Sequence, residues 1–135
     1  MSSRVGFRVL SFTLSVLSVA SADAARPRVS ECFAHHEVTR VDPYFEDRGS
    51  EGYVDAVLVG AQIFVAAERG LTGEWLYREL AQRLAARRSD TQCPLDVPGV
   101  RIAIQSGGPG FWVNISASSE EAAQQVLERA RRLVR

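Results

Sequence analysis

The sequence predicts an α+β two-layer sandwich, in which two helices cover one face of a small, mostly antiparallel sheet. Two segments, 72–88 and 118–134, carry apolar residues on one face at helical spacing. Three others, 62–66, 100–105 and 111–116, are either continuously apolar or alternate apolar with polar residues, as strands do. The order strand, helix, strand, strand, helix matches a ferredoxin-like split unit that lacks its last strand.

Residues 1–24 have the layout of a secretory signal peptide. Arg4 and Arg8 precede an apolar run at residues 9–20, and the small residues Ala20, Ala22 and Ala24 suit a signal peptidase. The run is too short to span a bilayer, so no stable membrane anchor is expected after cleavage. The sequence therefore predicts a periplasmic or secreted protein that begins after Ala24.

The composition excludes several kinds of chemistry. All 16 basic residues are arginine, so no lysine is present to form a Schiff base, hold pyridoxal phosphate or serve a P-loop. Removal of residues 1–24 takes Arg4, Arg8 and Asp23 from 16 basic and 16 acidic residues, which leaves a net charge of −1. This balance gives no reason to expect a nucleic-acid partner.

The mature chain divides into an irregular N-terminal arm, residues 25–52, and an α+β domain, residues 53–135. The arm contains Pro27, Pro43 and scattered charges, with a short strand possible at residues 37–41. Its Cys32 and the later Cys93 are the two cysteines of the chain. In an oxidising compartment they are expected to form a disulfide, which closes about 60 residues and stabilises the fold by roughly 4 kcal/mol.

The apolar run 53–67 is long for one strand; its second half, residues 62–66, predicts the first strand of the domain, and Gly60 marks a bulge or a turn. Thr72 is the expected N-cap of the first helix, since a threonine at that place can accept a hydrogen bond from the first turn. The glycine-rich segment 106–110 separates two alternating strands and predicts a hairpin turn. Ser118 and Glu121 have the spacing of a capping box, which predicts the start of the last helix.

One candidate metal site lies in the arm. His35, His36 and Glu37 follow Cys32, and these residue types bind zinc or copper. Adjacent histidines point in different directions, and Cys32 cannot act as a thiolate ligand while it is in a disulfide. No other cofactor is predicted, and the more ordinary interpretation is an exposed arm held by the disulfide.

A candidate partner-binding surface lies on the predicted hairpin. Trp112 and Asn114 alternate away from the apolar residues of their strand, and Arg101 occupies the equivalent place on the preceding strand. Exposed aromatic residues combined with arginine are typical of binding surfaces. The alternative is that the N-terminal arm covers this face of the sheet and buries Trp112.

Two stretches, Glu68–Leu76 (ERGLTGEWL) and Cys93–Val100 (CPLDVPGV), resemble a group of small exported bacterial proteins without known activity. The resemblance covers roughly the C-terminal half of the chain and implies export and fold rather than chemistry. Some members of that group carry a Cys-His pair in the first helix, where this chain has Gln82 and Arg83. The resemblance therefore implies no metal or redox role here.

The sequence contains no serine or cysteine nucleophile in a recognisable catalytic motif, and no enzyme activity is predicted. The leading hypothesis is a non-enzymatic binding module of the bacterial envelope whose partner is a protein or peptide. The alternative is an envelope metal-binding protein that uses His35 and His36. A small hydrolase has no support in the sequence.

Overall fold

The computed structural model describes residues 31–134, which form a four-stranded antiparallel sheet with two helices on one face. The predicted α+β sandwich is therefore confirmed. The predicted signal peptide, residues 1–24, lies outside the described residues. In chain order the elements are β1 (Val38–Asp47), β2 (Ala56–Ala66), α1 (Gly73–Ala85), β3 (Arg101–Ser106), β4 (Gly110–Ser116) and α2 (Glu120–Arg131), with 3₁₀ turns at Glu31–Phe33 and Pro94–Asp96.

The N-terminal arm is less irregular than predicted, because it contributes the strand β1. This strand extends well beyond the short strand expected at residues 37–41, and it pairs with β2, so the sheet begins before residue 53. The strand order is β1-β2-β4-β3. In a βαββαβ unit the last strand lies at the edge of the sheet, beside the first strand. Here β1 occupies that edge position, beside β2. The N-terminus thus supplies the strand that the predicted unit lacked.

Strand β2 contains a bulge at Gly60, as the sequence predicted. The register changes from Tyr44 opposite Gly60 to Phe45 opposite Leu58, so one residue of β2 has no partner on β1. A Cβ atom on Gly60 would collide with the carbonyl group of Ile115 on the neighbouring strand. Glycine therefore allows β2 and β4 to approach each other at this point.

The core lies between the helices and one face of the sheet. Apolar residues at alternate strand positions and at helical spacing meet there, since each element has one apolar face. Neither helix is a membrane span, because no helix within residues 31–134 is long and apolar enough to cross a membrane. The buried residues of the sheet and helices include Val59, Ala61, Ile63 and Val65 of β2, Val113 and Ile115 of β4, Leu76 and Leu80 of α1, and Ala123, Val126, Leu127 and Ala130 of α2.

The two helices begin at side-chain caps. The Thr72 hydroxyl accepts a hydrogen bond from the Trp75 N–H at 3.1 Å, which confirms the predicted start of α1. The start predicted for the last helix is wrong by one residue. Ser119, not Ser118, is the N-cap of α2, and its hydroxyl accepts from the Ala122 N–H at 3.2 Å. The extended backbone of Ser119 turns its side chain back towards the first helical turn, which a capping-box pattern centred on Ser118 does not anticipate.

The predicted disulfide between Cys32 and Cys93 is present, with the Cα atoms 5.9 Å apart. It joins the 3₁₀ turn Glu31–Phe33 to the residue that precedes the 3₁₀ turn Pro94–Asp96. Both cysteines are buried in the core cluster. The disulfide therefore fastens the beginning of the described chain to the connection between α1 and β3.

A buried ion pair fixes the same connection to α1. Arg83 donates to both carboxylate oxygens of Asp96, at 3.3 and 3.0 Å, and the Asp96 side chain is only 2 % exposed. The backbone N–H of Asp90 also donates to Asp96, at 3.0 Å. From α2, Arg129 donates to the carbonyl groups of Asp90 and Cys93. Bidentate contacts of this kind hold the loop in one geometry.

Candidate binding face

The sheet face opposite the helices carries the candidate site, and we call it the open face. The helices and 3₁₀ turns of the described chain pack on the other face, where the core lies. Because side chains alternate along strands, the register places the residues of the open face in rows across all four strands. These rows are Arg40–Phe64–Trp112–Gln105, Asp42–Gln62–Asn114–Ala103 and Tyr44–Gly60–Ser116–Arg101.

An aromatic pair dominates the first row. The rings of Phe64 and Trp112 meet edge to face, with centroids 4.9 Å apart, an arrangement that contributes about 1 kcal/mol beyond area burial. The Arg40 guanidinium lies over the Trp112 ring, 5.7 Å from its centroid. Its Nε atom is also 2.7 Å from a carboxylate oxygen of Asp42. These contacts bring a cation and a carboxylate next to a packed pair of aromatic rings.

The hairpin glycines make room for this aromatic pair. A Cβ atom on Gly107 would lie 2.6 Å from Cδ1 of Trp112 and 3.1 Å from a ring carbon of Phe64. A Cβ atom on Gly110 would lie 2.9 Å from the Phe64 ring. Gly108, with φ of +70°, supplies the left-handed backbone that the predicted turn requires. The glycine-rich segment therefore both turns the chain and accommodates the two rings.

Asn114, in the centre of the middle row, has an unsatisfied side chain. The residue is 5 % exposed, and its side-chain oxygen Oδ1 is buried without a hydrogen-bond partner in the described structure. A buried polar atom of this kind destabilises a protein by about 1–3 kcal/mol. Because this oxygen is buried, a ligand reaches it only if the Asn114 side chain or its neighbours move.

The structure brings the predicted partner-binding residues to one face. Trp112 and Asn114 are successive open-face residues of β4, and Arg101 lies on β3 opposite Ser116. Trp112 is half-buried because it packs against Phe64 and because Arg40 of the arm lies over its ring, so the arm covers part of Trp112 without burying it fully. Arg101 is exposed, two positions along the strand from the row that holds Asn114.

Sequence reasoning missed the contribution of the first two strands to this face. Arg40, Asp42 and Tyr44 lie in the segment that the sequence predicts as an irregular arm, although their every-second spacing is the period of a strand. Gln62 and Phe64 alternate with buried residues of β2, which is the signal that would have placed them opposite the core. Because residues 53–67 are almost all apolar, the sequence alone does not show which of them face away from the core.

The candidate metal ligands are not brought together. His35 and Glu37 are exposed, whereas the His36 side chain is 6 % exposed and its Nε2 atom lies 2.8 Å from a carboxylate oxygen of Glu79. The other ring nitrogen of His36, Nδ1, is buried and has no hydrogen-bond partner among residues 31–134. Within residues 31–134 there is no group of three or more histidine, cysteine, aspartate or glutamate residues arranged to hold a metal. The metal hypothesis stays a prediction.

Comparison of this chain with family models, curated proteins and solved structures finds no match. The resemblance to small exported bacterial proteins therefore stays a prediction as well. Function has to be inferred from the open face, from the disulfide and from the N-terminal sequence.

Proposed function

We propose that this chain is an exported, non-enzymatic binding module of the bacterial envelope, whose open face contacts a protein or peptide. The observation that carries the proposal is the edge-to-face pair of Phe64 and Trp112 on the open face, with the Arg40 guanidinium over the Trp112 ring. The N-terminal arm contributes to this surface through the residues that β1 adds to the open face.

The chemistry of the open face suits a partner that combines apolar and polar groups. Tryptophan, tyrosine and arginine are the residues that most often dominate binding energy at interfaces, and the open face has all three. Trp112 and Phe64 already pack against each other, so little side-chain entropy is lost when a partner docks on them. Gln62 supplies an amide group that matches the backbone of a peptide.

Export is supported by two independent features. The first residues have the pattern of a signal peptide, and a disulfide joins Cys32 and Cys93. Disulfides persist in oxidising compartments such as the bacterial periplasm and the outside of the cell. We therefore place the mature protein in the periplasm or outside the cell.

The proposal is tested with a matched pair of tryptophan variants. Trp112→Ala removes the centre of the aromatic row, whereas Trp75→Ala removes an exposed tryptophan, 61 % accessible, from the helical side of the molecule. The tagged variants and the unchanged protein are cross-linked in an envelope fraction, and the captured proteins are compared. We expect Trp112→Ala and Arg101→Ala to lose a partner that Trp75→Ala keeps. Identical captured sets for all of these variants would contradict the proposal.

The alternative function is metal binding by His35, His36 and Glu37, the residues that the sequence predicts as ligands. Nε2 of His36 lies 2.8 Å from a carboxylate oxygen of Glu79, so a metal ion bound at that nitrogen has to displace this contact or share the Glu79 carboxylate. Native mass spectrometry of the exported protein, without chelator, tests this alternative. A bound metal ion that disappears in the His35→Ala/His36→Ala double variant would support it, and the absence of any metal-sized mass increment would contradict it.

A further inference from the structure

The outer edge of the sheet at β3 has backbone groups that no strand of the described chain uses. Gly107 donates its N–H to the carbonyl group of Gly110 at 2.9 Å, which closes the hairpin between β3 and β4. Hydrogen-bonded and non-bonded pairs alternate along an antiparallel ladder, so every second residue of β3 bonds to β4. Those residues are Arg101, Ala103 and Gln105, and the N–H and C=O groups that face the free edge belong to Ile102, Ile104 and Ser106.

The opposite edge of the sheet, at β1, is protected against pairing. The Ala117 N–H donates to the Val59 carbonyl, so Val59 and every second residue after it on β2 bond to β4, and the residues between them bond to β1. Arg40, Asp42 and Tyr44 lie opposite those intervening residues. The backbone groups of Val41 and Pro43 therefore face the outer edge of β1. Pro43 has no N–H to donate to a further strand, and the register of β1 is irregular at two places. Proline and irregularities of this kind are how natural sheets block an edge. The β3 edge has neither.

A groove between α1 and β3 runs beside this free edge. It has a volume of about 550 Å³ and is lined by Gly73 and Tyr77 of α1 and by Ile102 and Ile104 of β3. Tyr77 is 46 % exposed, which is high for an aromatic side chain on a helix that packs against a sheet. The groove therefore offers apolar contact to the alternate side chains of a strand added to β3.

A second groove lies between the C-terminal end of α1 and the connection that leads into Arg101, the first residue of β3. It has a volume of about 540 Å³, with apolar walls that include Leu84, Val97 and Val100. Arg87 and Arg88, both exposed, also line it, and neither forms an ion pair with a carboxylate in the described part of the chain. The Asp96 carboxylate lines the groove as well but is paired with Arg83, so the two unpaired charges at the groove are positive.

We propose that β3 accepts the C-terminal segment of another protein as a fifth, antiparallel strand, with the terminal carboxylate at Arg87 and Arg88. A strand antiparallel to β3 runs from Ser106 towards Arg101, so its C-terminus arrives at the arginine-lined groove. Backbone hydrogen bonds to β3 supply affinity, and apolar residues at alternate positions enter the groove beside Tyr77. The two guanidinium groups favour a carboxylate at the end of the segment.

Charge complementarity favours such a terminus over a second copy of this chain. If β3 of one copy paired antiparallel with β3 of another, the neutral turn at residues 107–109 would arrive at Arg87 and Arg88. The arginines would then remain without a carboxylate. The surface is also distinct from the open face, because the middle and aromatic rows are centred on β2 and β4. A result that rules out peptide binding at the β3 edge would therefore not contradict the proposed binding of a partner at the open face.

The experiment uses a library of eight-residue peptides with apolar residues at alternate positions, each made with a free C-terminal carboxylate and as a C-terminal amide. We expect peptides with the carboxylate to bind, and the amide forms to bind about tenfold more weakly. Amide hydrogen exchange by NMR locates the contact. Bound peptide should slow the exchange of the Ile102, Ile104 and Ser106 N–H groups, whereas those of Ala103 and Gln105 are already protected by β4.

Variants separate this contact from other modes of binding. Ile104→Pro removes an N–H that the fold does not use and should weaken binding about tenfold or more, whereas Ile104→Val should bind normally. If Ile104→Pro fails to fold, Ser106→Pro at the end of the strand serves the same purpose. Replacing both Arg87 and Arg88 with serine should abolish the preference for the carboxylate over the amide.

Three results would overturn the proposal. The first is that no peptide of the library binds, and the second is that bound peptide protects amides other than those of the β3 edge. The third is that the three edge amides become protected with rising protein concentration and without peptide, which would assign the edge to a second copy of the chain.

Discussion

The disulfide between Cys32 and Cys93 should supply a large part of the stability of this small protein. The perturbation is the Cys32→Ala/Cys93→Ala double variant, which removes the cross-link without leaving a free thiol. The two cysteines are 61 residues apart, and a loop of that length corresponds to about 4 kcal/mol of lost chain entropy in the unfolded state. A domain of this size has an unfolding free energy on the order of 5–15 kcal/mol, so the loss is severe.

Urea unfolding, followed by tryptophan fluorescence and circular dichroism, measures this difference. The double variant should lose about 4 kcal/mol, and its m-value should rise because an unfolded chain without the cross-link exposes more surface. The unchanged protein treated with reductant is the control, and its midpoint should move towards that of the variant. A loss below about 1 kcal/mol, with an unchanged m-value, would refute the reasoning that the bond acts by restricting the unfolded chain.

Three further predictions concern the fold. Asp96→Ala removes the bidentate partner of Arg83 and leaves it only the more distant Asp90 carboxylate, at 3.6 Å, so it should lower the free energy of unfolding by about 3 kcal/mol, measured by urea denaturation. Ser119→Ala removes the cap of α2 and should lower the midpoint of thermal unfolding by an amount equivalent to about 1 kcal/mol, whereas Ser118→Ala should leave it unchanged; the reverse order would contradict the assigned cap. Gly60→Ala forces β2 away from β4 and should destabilise by about 2 kcal/mol or more, and an unaffected melting temperature would refute the close approach.

The two helices and the strands β2, β3 and β4 could be predicted because their sequence signals are local. Thr72 caps α1 as its side chain and position suggest, and the apolar spacing of both helices matches the faces that the structure buries. The alternation around Ile102 and Val113 likewise identifies β3 and β4. The disulfide followed from the number of cysteines and from the expected compartment.

Strand β1 could not be predicted with its true length, because an edge strand has weak local requirements. Only one of its sides is hydrogen-bonded, so it tolerates Pro43 and several charged residues that would exclude a central strand. Its pairing with β2 depends on contacts far apart in the sequence. For the same reason the sequence predicts only the part of the open face that lies on β3 and β4, through Arg101, Trp112 and Asn114, and not the part that lies on β1 and β2.

The Arg83–Asp96 pair and the His36–Glu79 pair also escaped prediction. Each joins residues from different elements, and no spacing in the sequence indicates which charges will meet. Arg83 illustrates the difficulty, because in the sequence it is one of several arginines towards the C-terminal end of the first helix. Only the structure shows that it is mostly buried and holds the loop that carries Cys93.

Site-specific photo-cross-linking in the envelope of the producing cell tests most directly whether the open face is the binding surface. A photoreactive residue is placed at Gln62, in the centre of the open face, or at Gln124, which is exposed on α2 as a control. We expect a discrete cross-linked partner from Gln62 that is absent from Gln124 and is lost when Trp112→Ala is added. Cross-links from Gln124 alone, or equal cross-links from both positions, would contradict the proposed function.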